Sequence, residues 1–509
     1  MTKYRLVLHY KTPINSFFKK YIRRILLFFV VLCVVYAIRT QIKISKLSYL
    51  KEITVSRALE LITEVKTLPY SEESDDSWKV VDIKDSRIYS AYLETRSQVV
   101  LEENQNLIYN DSAWAFIRII AIIPVDFQYI PLTCYYKYTS SQKSAKSLIF
   151  EKPFIRTQLI AYKENFNMYY SAAFILCPLP YPEEINSQGI KLPYKITVST
   201  RSDRSANNIN RDKFVGIRYP NKWYTTDINI NINSHQYKDK DRKTFSVCVK
   251  PFHHNFDKAI DLITFIEFYK MMGVNYLTFY RDSVSENVDK ILNYYIKEKI
   301  VSVLKWKLPE IYIFQRTLRT DGIFAALNDC LYRNTFHEGV KYIVGVDIDE
   351  YIVPRIHENY MVMMEHLNSV KSDEVGGWIF RNVFYYLMYD DDLVTLPPGS
   401  PKLNLHYKTR RWKEINPVYD RSKYIVQGEN VIELGNHRVW KTKRTWSIFG
   451  TRYKEVEVDP KVGTSNHYRF CETSIENCWK RESIVDKTTH RFTKELSNRV
   501  SKVLKDLNL

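Results

Sequence analysis

The sequence predicts an α/β fold whose mainly parallel sheet is covered by helices on both faces and preceded by a β-rich domain. Three observations predict it. Strand and helix patterns alternate after Lys243, an apolar strand ends in three carboxylates near residue 350, and short alternating strands fill residues 78–240. With 509 residues and 45% hydrophobic content, the chain is long enough to bury more than one core.

An apolar run at residues 25–38 lies between Arg23-Arg24 and Arg39. We predict an uncleaved transmembrane anchor, because flanking arginines can snorkel and no small-residue cleavage site follows; a cleaved signal peptide is the alternative. Seven Lys or Arg precede the run and three follow closely, so residues 1–24 are predicted to be cytosolic and the bulk luminal. The short run favours a thin early secretory or Golgi membrane.

The formal net charge of +18 is concentrated at the N-terminus, where residues 1–50 contain ten Lys or Arg and no Asp or Glu. The remaining excess is dispersed and accompanies no recognisable nucleic-acid motif, so no nucleic-acid partner is predicted. Residues 39–77 are predicted to form a stem that ends in a polar linker. Residues 78–243 then form a β-sandwich-like accessory domain, with strands expected at 116–125, 132–138, 154–162 and 169–176.

Six of the seven cysteines lie outside the apolar run, an even number that could form three disulfides in an oxidising lumen. Cys134 and Cys177 lie in strand-like segments of the β-rich domain and are predicted to pair. Cys471 and Cys478 could close a small loop, and the remaining connectivity stays open. Asn110 begins a glycosylation sequon whose use requires the same luminal topology.

The catalytic-type domain is predicted over residues 244–480, followed by a C-terminal tail at 481–509. A helix at 257–272 ends at Gly273, a typical C-cap, and a capping box at 283–286 opens a second helix that runs to about 297. A further helix is expected at about 322–332. Strands at 245–250, 276–280 and 300–304 alternate with these helices, which is the pattern of a parallel sheet.

The apolar strand at residues 341–346 leads directly into Asp347, Asp349 and Glu350. Strand alternation places Asp347 and Asp349 on one face, where they could share a hard divalent cation that also binds diphosphate oxygens. Carboxyl ends of strands are where open α/β sheets bind ligands. The pattern therefore favours a site for a nucleotide-sugar donor.

Several ordered motifs together resemble glycosyltransferase family 92, and in particular its nematode members. The resemblance covers roughly residues 85–475 and is carried by the segments 90–96, 247–251, 265–274, 280–283, 328–330, 347–354, 423–426, 436–437 and 467–469, with Cys134 and Cys177 placed as in relatives. It implies a GT-A-like fold, an inverting and metal-dependent transfer (usually with Mn²⁺), and a Golgi type II membrane topology. Characterised relatives transfer galactose from UDP-galactose. Relatives tend to carry Gly-Gln where this sequence has Gly322-Ile323.

On this resemblance, Asp349 should bind the metal, and Asp347 should bind the metal or the donor ribose. Glu350 is either an orienting residue or a structural one. His437 is the first candidate for a third metal ligand, and His467 is the second.

Lys250 and Asp282 end the first two strands of the αβ region and are predicted to contact the donor. His253-His254 could bind metal only if their side chains converged, and adjacent residues on an extended chain point apart, so loop packing is the expectation. The general base is left open among five downstream carboxylates: Glu374, Asp390, Asp391, Asp392 and Glu414.

The leading functional hypothesis is a membrane-anchored hexosyltransferase, with a nucleotide-sugar donor and a glycan or glycoprotein acceptor. The alternative from a binding class is a catalytically inactive, lectin-like membrane protein. A metal-dependent phosphohydrolase is a third interpretation, although the sequence lacks the additional His and Asp clusters that two-metal sites require.

Overall fold

The computed structural model describes residues 27–36, 76–81, 83–104, 113–127, 132–138, 148–150, 158–159, 166–180, 192–200, 213–220, 243–371, 374–445, 450–472, 478 and 481–509. The chain divides into two compact units, Met1–Ile62 and Thr63–Leu509. In the first unit, residues 27–36 form a helix with exposed side chains.

Among the residues described, no helix is both long enough and apolar enough to cross a membrane. The anchor predicted at 25–38 is therefore not supported by the part of it that is described, and its ends lie outside the described residues. The tail at 1–24, most of the stem at 39–77 and the sequon at Asn110 also lie outside them.

The N-terminal part of the second unit is a single nine-stranded sheet with the order β5-β4-β8-β9-β2-β3-β7-β6, in which β1 pairs with β2. Its strands are β1 (Lys79–Val80), β2 (Arg87–Glu94), β3 (Ala113–Pro124), β4 (Thr133–Tyr138), β5 (Leu148–Phe150), β6 (Gln158–Leu159), β7 (Tyr170–Pro180), β8 (Pro193–Ser199) and β9 (Val215–Arg218). Helix α1 (Ser97–Asn104) follows β2.

The strands described form one continuous sheet, and not two separate sheets. This sheet folds back on itself, because β4 and β7 lie five positions apart in the strand order and are joined by the Cys134–Cys177 disulfide, with 5.9 Å between their Cα atoms. Tyr136 of β4 also donates a hydrogen bond to the carbonyl of Pro178 in β7. The two facing parts agree with the sandwich-like arrangement that the sequence predicts.

The sheet also packs on the αβ region. Tyr89, Ile122 and Phe174 share a core with Trp306 and Phe324 of that region, and both parts belong to one compact unit.

The αβ region contains the remaining helices and strands. The helices are α2 (Ala259–Met271), α3 (Glu286–Lys297), α4 (Ile323–Tyr332), α5 (Tyr360–Val370), α6 (Asn404–Tyr407) and α7 (Thr493–Leu507). The strands are β10 (Phe245–Val249), β11 (Tyr276–Arg281), β12 (Val301–Lys305), β13 (Tyr342–Val346), β14 (Glu350–Pro354), β15 (Val375–Phe380), β16 (Asn382–Tyr386), β17 (Arg410–Trp412), β18 (Lys423–Gln427), β19 (Val431–Leu434), β20 (Val439–Thr442), β21 (Lys454–Glu457), β22 (Gly463–Arg469) and β23 (Ser483–Val485).

The central sheet has seven strands in the order β12-β11-β10-β13-β18-β15-β21. Strands β10 to β13 are mutually parallel, whereas β18 runs antiparallel to both β13 and β15. The sheet is therefore mixed. Because β11 and β13 lie on opposite sides of β10, the strand order reverses there and opens a crevice at the carboxyl ends of β10 and β13.

Side chains alternate across the central sheet, so each strand contributes to two cores. Val247 and Val249 of β10 pack with α2, α3, α5 and α7, whereas Cys248 between them packs on the side of α4. Helices therefore cover both faces, as predicted. The predicted C-cap Gly273 has φ +91°, a conformation that glycine adopts without steric cost.

The N-cap of α3 is Ser285, whose side chain accepts a hydrogen bond from the amide of Val288. The capping box read from the sequence begins two residues earlier, at Ser283. The helix nevertheless ends at Lys297, where the sequence predicts it to end.

Residues 481–509 form more than the tail expected from the sequence. They provide β23 and α7, and Leu496, Val500 and Val503 of α7 lie in the same core as α2. The amphipathic spacing of these three residues is typical of a helix that buries one face. Because they share a core with α2, residues 493–507 help to cover one face of the central sheet.

Three disulfides are present among the described residues: Cys134 with Cys177, Cys248 with Cys330, and Cys471 with Cys478. The first and third are the pairs that the sequence put forward. The second links β10 to α4, and sequence reasoning left it open because nothing in the spacing of 82 residues identifies it.

Candidate active site at the ends of strands β10 and β13

The site begins where β13 stops. Val249 of β10 pairs with Val346 of β13, so the next residues along each strand, Lys250 and Asp347, lie side by side at the crevice. Lys250 Nζ is 3.8 Å from Asp347 Oδ2. The parallel register thus delivers one ammonium group and one carboxylate to the point where the strand order reverses.

A second lysine approaches Asp347 from the other side. Gly345 pairs with Tyr424 in the antiparallel β13–β18 ladder, which brings Lys423, the first residue of β18, to the end of β13. Its Nζ lies 3.4 Å from Asp347 Oδ2 and 3.0 Å from Glu350 Oε2, and its side chain is 1% exposed. A glycine is required at 345, since a Cβ there would lie 2.3 Å from the Tyr424 ring.

Glu350 holds the turn that presents the two aspartates. Its amide donates to the carbonyl of Asp347 at 3.0 Å, and its Oε2 accepts from the Asp347 amide at 2.9 Å. The carboxylate is almost completely buried, and this burial raises the pKa of Glu350. Glu350 is therefore a positioning residue that shapes the loop, in line with the structural interpretation of it.

His467 contacts two of the three carboxylates. It lies directly opposite Glu350 in the antiparallel β14–β22 pair, with Nδ1 3.3 Å from Glu350 Oε1 and Nε2 3.4 Å from Asp349 Oδ2. The Asp349 side chain is 32% exposed, the most accessible of the three. This register cannot be read from the sequence, which ranked His437 first.

His437 lies within electrostatic range of Asp347. Its Nε2 is 3.0 Å from Asn436 Nδ2, and the Oδ1 of that same Asn436 accepts a hydrogen bond from Lys423. Burial, followed by the charge of Lys423, lowers the pKa of His437 to about 3, so its imidazole is neutral at physiological pH. The structure therefore places His467, and not His437, next to Asp349.

The charges explain how the aspartates stay ionised. Burial opposes ionisation of Asp347, but the charges of Lys250 and Lys423 outweigh it and lower its pKa. Burial likewise opposes ionisation of Asp349, and the neighbouring His467 lowers its pKa. Asp347 is thus neutralised by two lysines, whereas Asp349 retains an accessible oxygen beside a histidine nitrogen.

These residues fit a divalent cation. Two ligands that lie about 2.1 Å from one ion at a right or tetrahedral angle are roughly 3.0–3.4 Å apart, and Asp349 Oδ2 and His467 Nε2 are separated by 3.4 Å. Three carboxylates face two lysines and one imidazole at this point, so the site offers both oxygen and nitrogen ligands.

Sequence reasoning missed Asp261 in the first turn of α2. Burial raises its pKa, and the charge of Asp349 raises it further, which places the two carboxyl groups within electrostatic range. Asn404 Nδ2 donates to its Oδ1 at 3.4 Å. Nothing in the local sequence signals this residue, because the contact depends on how α2 packs over the crevice.

The other residues predicted from the sequence are not part of this group of carboxylates. Asp282 accepts a hydrogen bond from Ser283 Oγ and lies within electrostatic range of His253. Of the five base candidates, Asp391 pairs with Lys402 and Lys408, and Asp392 pairs with Lys487. These pairs leave those two aspartates in surface ion pairs.

A crevice at a strand-order reversal is where open α/β sheets bind their ligands, and in this protein it carries paired carboxylates and two lysines. Residues 243–508 match the model of glycosyltransferase family 92, which spans just over half of the chain. The chain belongs to that family. A search of curated proteins found no match.

Solved structures with some similarity include three complexes with UDP or UDP-glucose. Residues 1–349 of S. aureus TarS with UDP have 12% identity and a TM-score of 0.24, and the match covers 44% of this chain and 60% of that fragment. GalNAc-T7 with UDP, GalNAc and Mn²⁺ has 12% identity and a TM-score of 0.25, with 46% and 45% covered. Glucosyl-3-phosphoglycerate synthase from Mycobacterium tuberculosis with Mn²⁺ and UDP-glucose has 14% identity and a TM-score of 0.18, with 28% and 45% covered.

Proposed function

We propose that this protein is a glycosyltransferase that transfers a hexose, galactose from UDP-galactose, to a glycan or glycoprotein acceptor with inversion at the anomeric carbon. Membership of glycosyltransferase family 92 supports the activity class. The observation that carries the proposal is the accessible carboxylate of Asp349 beside His467, at the carboxyl end of β13. The choice of galactose and of inversion rests on the resemblance to characterised relatives.

The donor would lie across the ends of β10 and β13. Lys250 is partly exposed and close to Asp347, so its ammonium group is available to the negatively charged diphosphate. Lys423 is buried between Asp347 and Glu350 and keeps the loop in one conformation. Asp347 thereby remains ionised and fixed, available to the donor ribose or to a cation.

Asp349 and His467 would hold a divalent cation such as Mn²⁺, with Asp347 close by. A bound cation would supply Lewis-acid stabilisation of the negative charge that develops on the departing UDP. Glu350 contributes by fixing the ring of His467 from its other nitrogen.

The reaction also needs a group that accepts the proton of the acceptor hydroxyl. Asp261 has the properties of a general base, since its pKa is raised and its side chain is partly buried within electrostatic range of Asp349. A raised pKa makes a carboxylate a better proton acceptor near neutral pH. We propose Asp261 for this step in place of the downstream carboxylates.

A direct assay tests this activity. The full-length chain should release UDP from UDP-galactose in the presence of Mn²⁺ and label a glycan acceptor, and chelation with EDTA should stop both. Release of free sugar or sugar phosphate without acceptor labelling would indicate a hydrolase. Donor binding without turnover would support the lectin-like alternative and contradict the proposal.

We further propose a single-pass type II orientation in the Golgi membrane, with residues 1–24 in the cytosol. The concentration of basic residues before position 25 supports this orientation. An N-terminal tag combined with protease protection of intact microsomes tests it, and the tag should be digested. A shielded tag, or a mature N-terminus near residue 40, would contradict it.

A further inference from the structure

A second group of metal-binding side chains lies at the edge of the same sheet. His253 and His254 follow β10, and Asp321 lies in the 3₁₀ turn just before α4. One ligand atom from each of the three side chains lies within 4.8 Å of the others. His253 Nδ1 and Asp321 Oδ2 are 3.3 Å apart.

The backbone is bent to bring these side chains together. His254 has φ +54° and Asn255 has φ +51°, so the chain is not extended here, and the two imidazole centroids lie 4.4 Å apart. The expectation that the adjacent histidines point apart was therefore wrong. On the other side, Thr320 and Asp321 have φ +40° and +49°. Left-handed conformations of residues with a Cβ are unfavourable and cluster at functional sites.

The facing atoms lack the hydrogen bonds that buried polar atoms normally make. Neither His253 Nδ1 nor Asp321 Oδ2 has a hydrogen-bond partner, although both atoms are buried and face each other. Buried polar atoms without partners are rare and call for an explanation. A neutral imidazole nitrogen and a carboxylate oxygen at this separation are the donor atoms that a metal ion uses.

We propose that His253, His254 and Asp321 form a second cation site, which binds a transition-metal ion of the Zn²⁺ class. Tetrahedral ligands at about 2.0–2.1 Å from zinc are roughly 3.3 Å apart, which equals the observed separation of His253 and Asp321. Two imidazoles select such ions over Mg²⁺ or Ca²⁺. His254 is exposed, so its ring can rotate to complete the site and leave a fourth position open.

The cluster neighbours the donor side of the crevice, since Lys250 and Asp282 both influence the pKa of His253. An ion there would add positive charge next to the predicted donor contacts. The site does not require the proposed transfer reaction, because its ligands are separate from Asp349 and His467.

Measurement of the metal stoichiometry of the full-length protein tests the proposal. The purified protein is stripped with EDTA, equilibrated with Zn²⁺ without nucleotide, separated from free metal and analysed by mass spectrometry. At least one equivalent of Zn²⁺ should remain bound, and His254→Ala should retain one equivalent fewer than wild type. Substitution by Co²⁺ should give the visible absorption of a nitrogen- and oxygen-coordinated ion, a readout that does not depend on activity.

Two variants remove ligands with little disturbance. His254→Ala changes an exposed side chain, and Asp321→Asn introduces a residue that tolerates positive φ. Each should weaken Zn²⁺ binding by at least about tenfold. Mutation of residues that only hydrogen-bond to a zinc ligand already lowers metal affinity by about 10–100-fold, and loss of a ligand should cost at least as much. His366→Ala is the matched control, since His366 is also exposed and lies near another histidine, with 4.8 Å between its ring and that of His357.

Asp349→Asn distinguishes the two sites. The ion should be retained in this variant, even if transfer activity is lost. Zn²⁺ binding that is lost in Asp349→Asn and kept in His254→Ala would assign the ion to the carboxylates and overturn the proposal. Equal binding by wild type and His254→Ala, or no binding by wild type, would overturn it as well. If Asp321→Asn does not fold, the His254→Ala result decides.

Discussion

Asp329 and Asp349 both belong to motifs on which the family resemblance rests, yet they differ in exposure and in the number of groups that donate to them. Asp329 on α4 is completely buried and accepts hydrogen bonds from Ser90, Tyr92 and Tyr280. It also pairs with Arg333 at 3.0 Å. Asp349 has a side chain that is 32% exposed and is contacted by His467.

The comparison teaches how to separate a structural carboxylate from one that is available for chemistry. A buried carboxylate whose oxygens are saturated by neighbouring donors has no capacity left for a ligand. An accessible carboxylate with an oxygen directed at a histidine nitrogen retains that capacity. The motif at 328–330 is accordingly structural, because Asn328 also binds the backbone of Leu434 through both of its polar atoms.

The strongest test of this contrast is Asp349→Asn. We expect transfer to fall below detection while the protein remains folded, because the change removes the charge of a cation ligand at nearly constant volume. UDP-galactose turnover with Mn²⁺ and thermal melting are measured on the same preparation. Undiminished turnover would remove Asp349 from the mechanism.

Asp329→Asn should instead lower the stability of the fold, which Asp349→Asn should leave intact. Loss of this charge leaves Arg333 buried with a weaker set of partners, and breaking a buried ion pair costs about 3–5 kcal/mol. Urea denaturation should show this loss of stability relative to wild type and to Asp349→Asn. If the two variants are equally stable, then the many hydrogen-bond donors around Asp329 do not identify it as a structural carboxylate.

A third variant, Asp261→Asn, addresses the base. General base catalysis is worth about 10²-fold or more, so kcat should drop by about that factor while the donor KM changes little. In the wild type, activity should decline as pH falls through the raised pKa of Asp261. The pH–activity profile of the variant should lack this decline on the acidic side. A pH profile that is unchanged in shape would exclude Asp261 as the base.

The smallest effect is expected at Asp486, which accepts hydrogen bonds from Thr488, Arg355 and Arg411. Burial opposes its ionisation, but these donors lower its pKa. A lowered pKa adds stability above the unfolded-state value near 3.8, and that stability is lost as pH falls through the folded pKa.

Asp486→Asn should therefore be less stable than wild type by about 1.5–3 kcal/mol at pH 7. The difference should shrink once the pH drops below about 3.8. Urea denaturation at several pH values measures it. A difference that stays constant with pH would show that the ionised form contributes nothing.

Local patterns in the sequence were sufficient for the elements that carry the site. The apolar strand at 341–346, the C-cap at Gly273 and the end of α3 at Lys297 all follow from periodicity and capping chemistry. Lys250 and Asp347 could be placed at the crevice because both follow strands of one parallel sheet.

Features that depend on register or on distant contacts could not be predicted. His467 faces Glu350 because of the pairing of β14 with β22, which is separated from it by over a hundred residues. Asp261 reaches the site only through the placement of α2. The sandwich-like domain was predicted, but its strand pairing was not: alternation identifies an apolar face and does not show that the strands at 79–218 form one continuous, folded sheet.

The core shared by Tyr89, Tyr280 and Trp306 limits where the chain can be truncated. The family match begins at residue 243, which suggests an excisable domain. A truncation there would remove Ser90 and Tyr92 from Asp329 and expose the aromatic face that Tyr89 covers. The boundary of sequence similarity is therefore not a folding boundary, and recombinant fragments should start before residue 76.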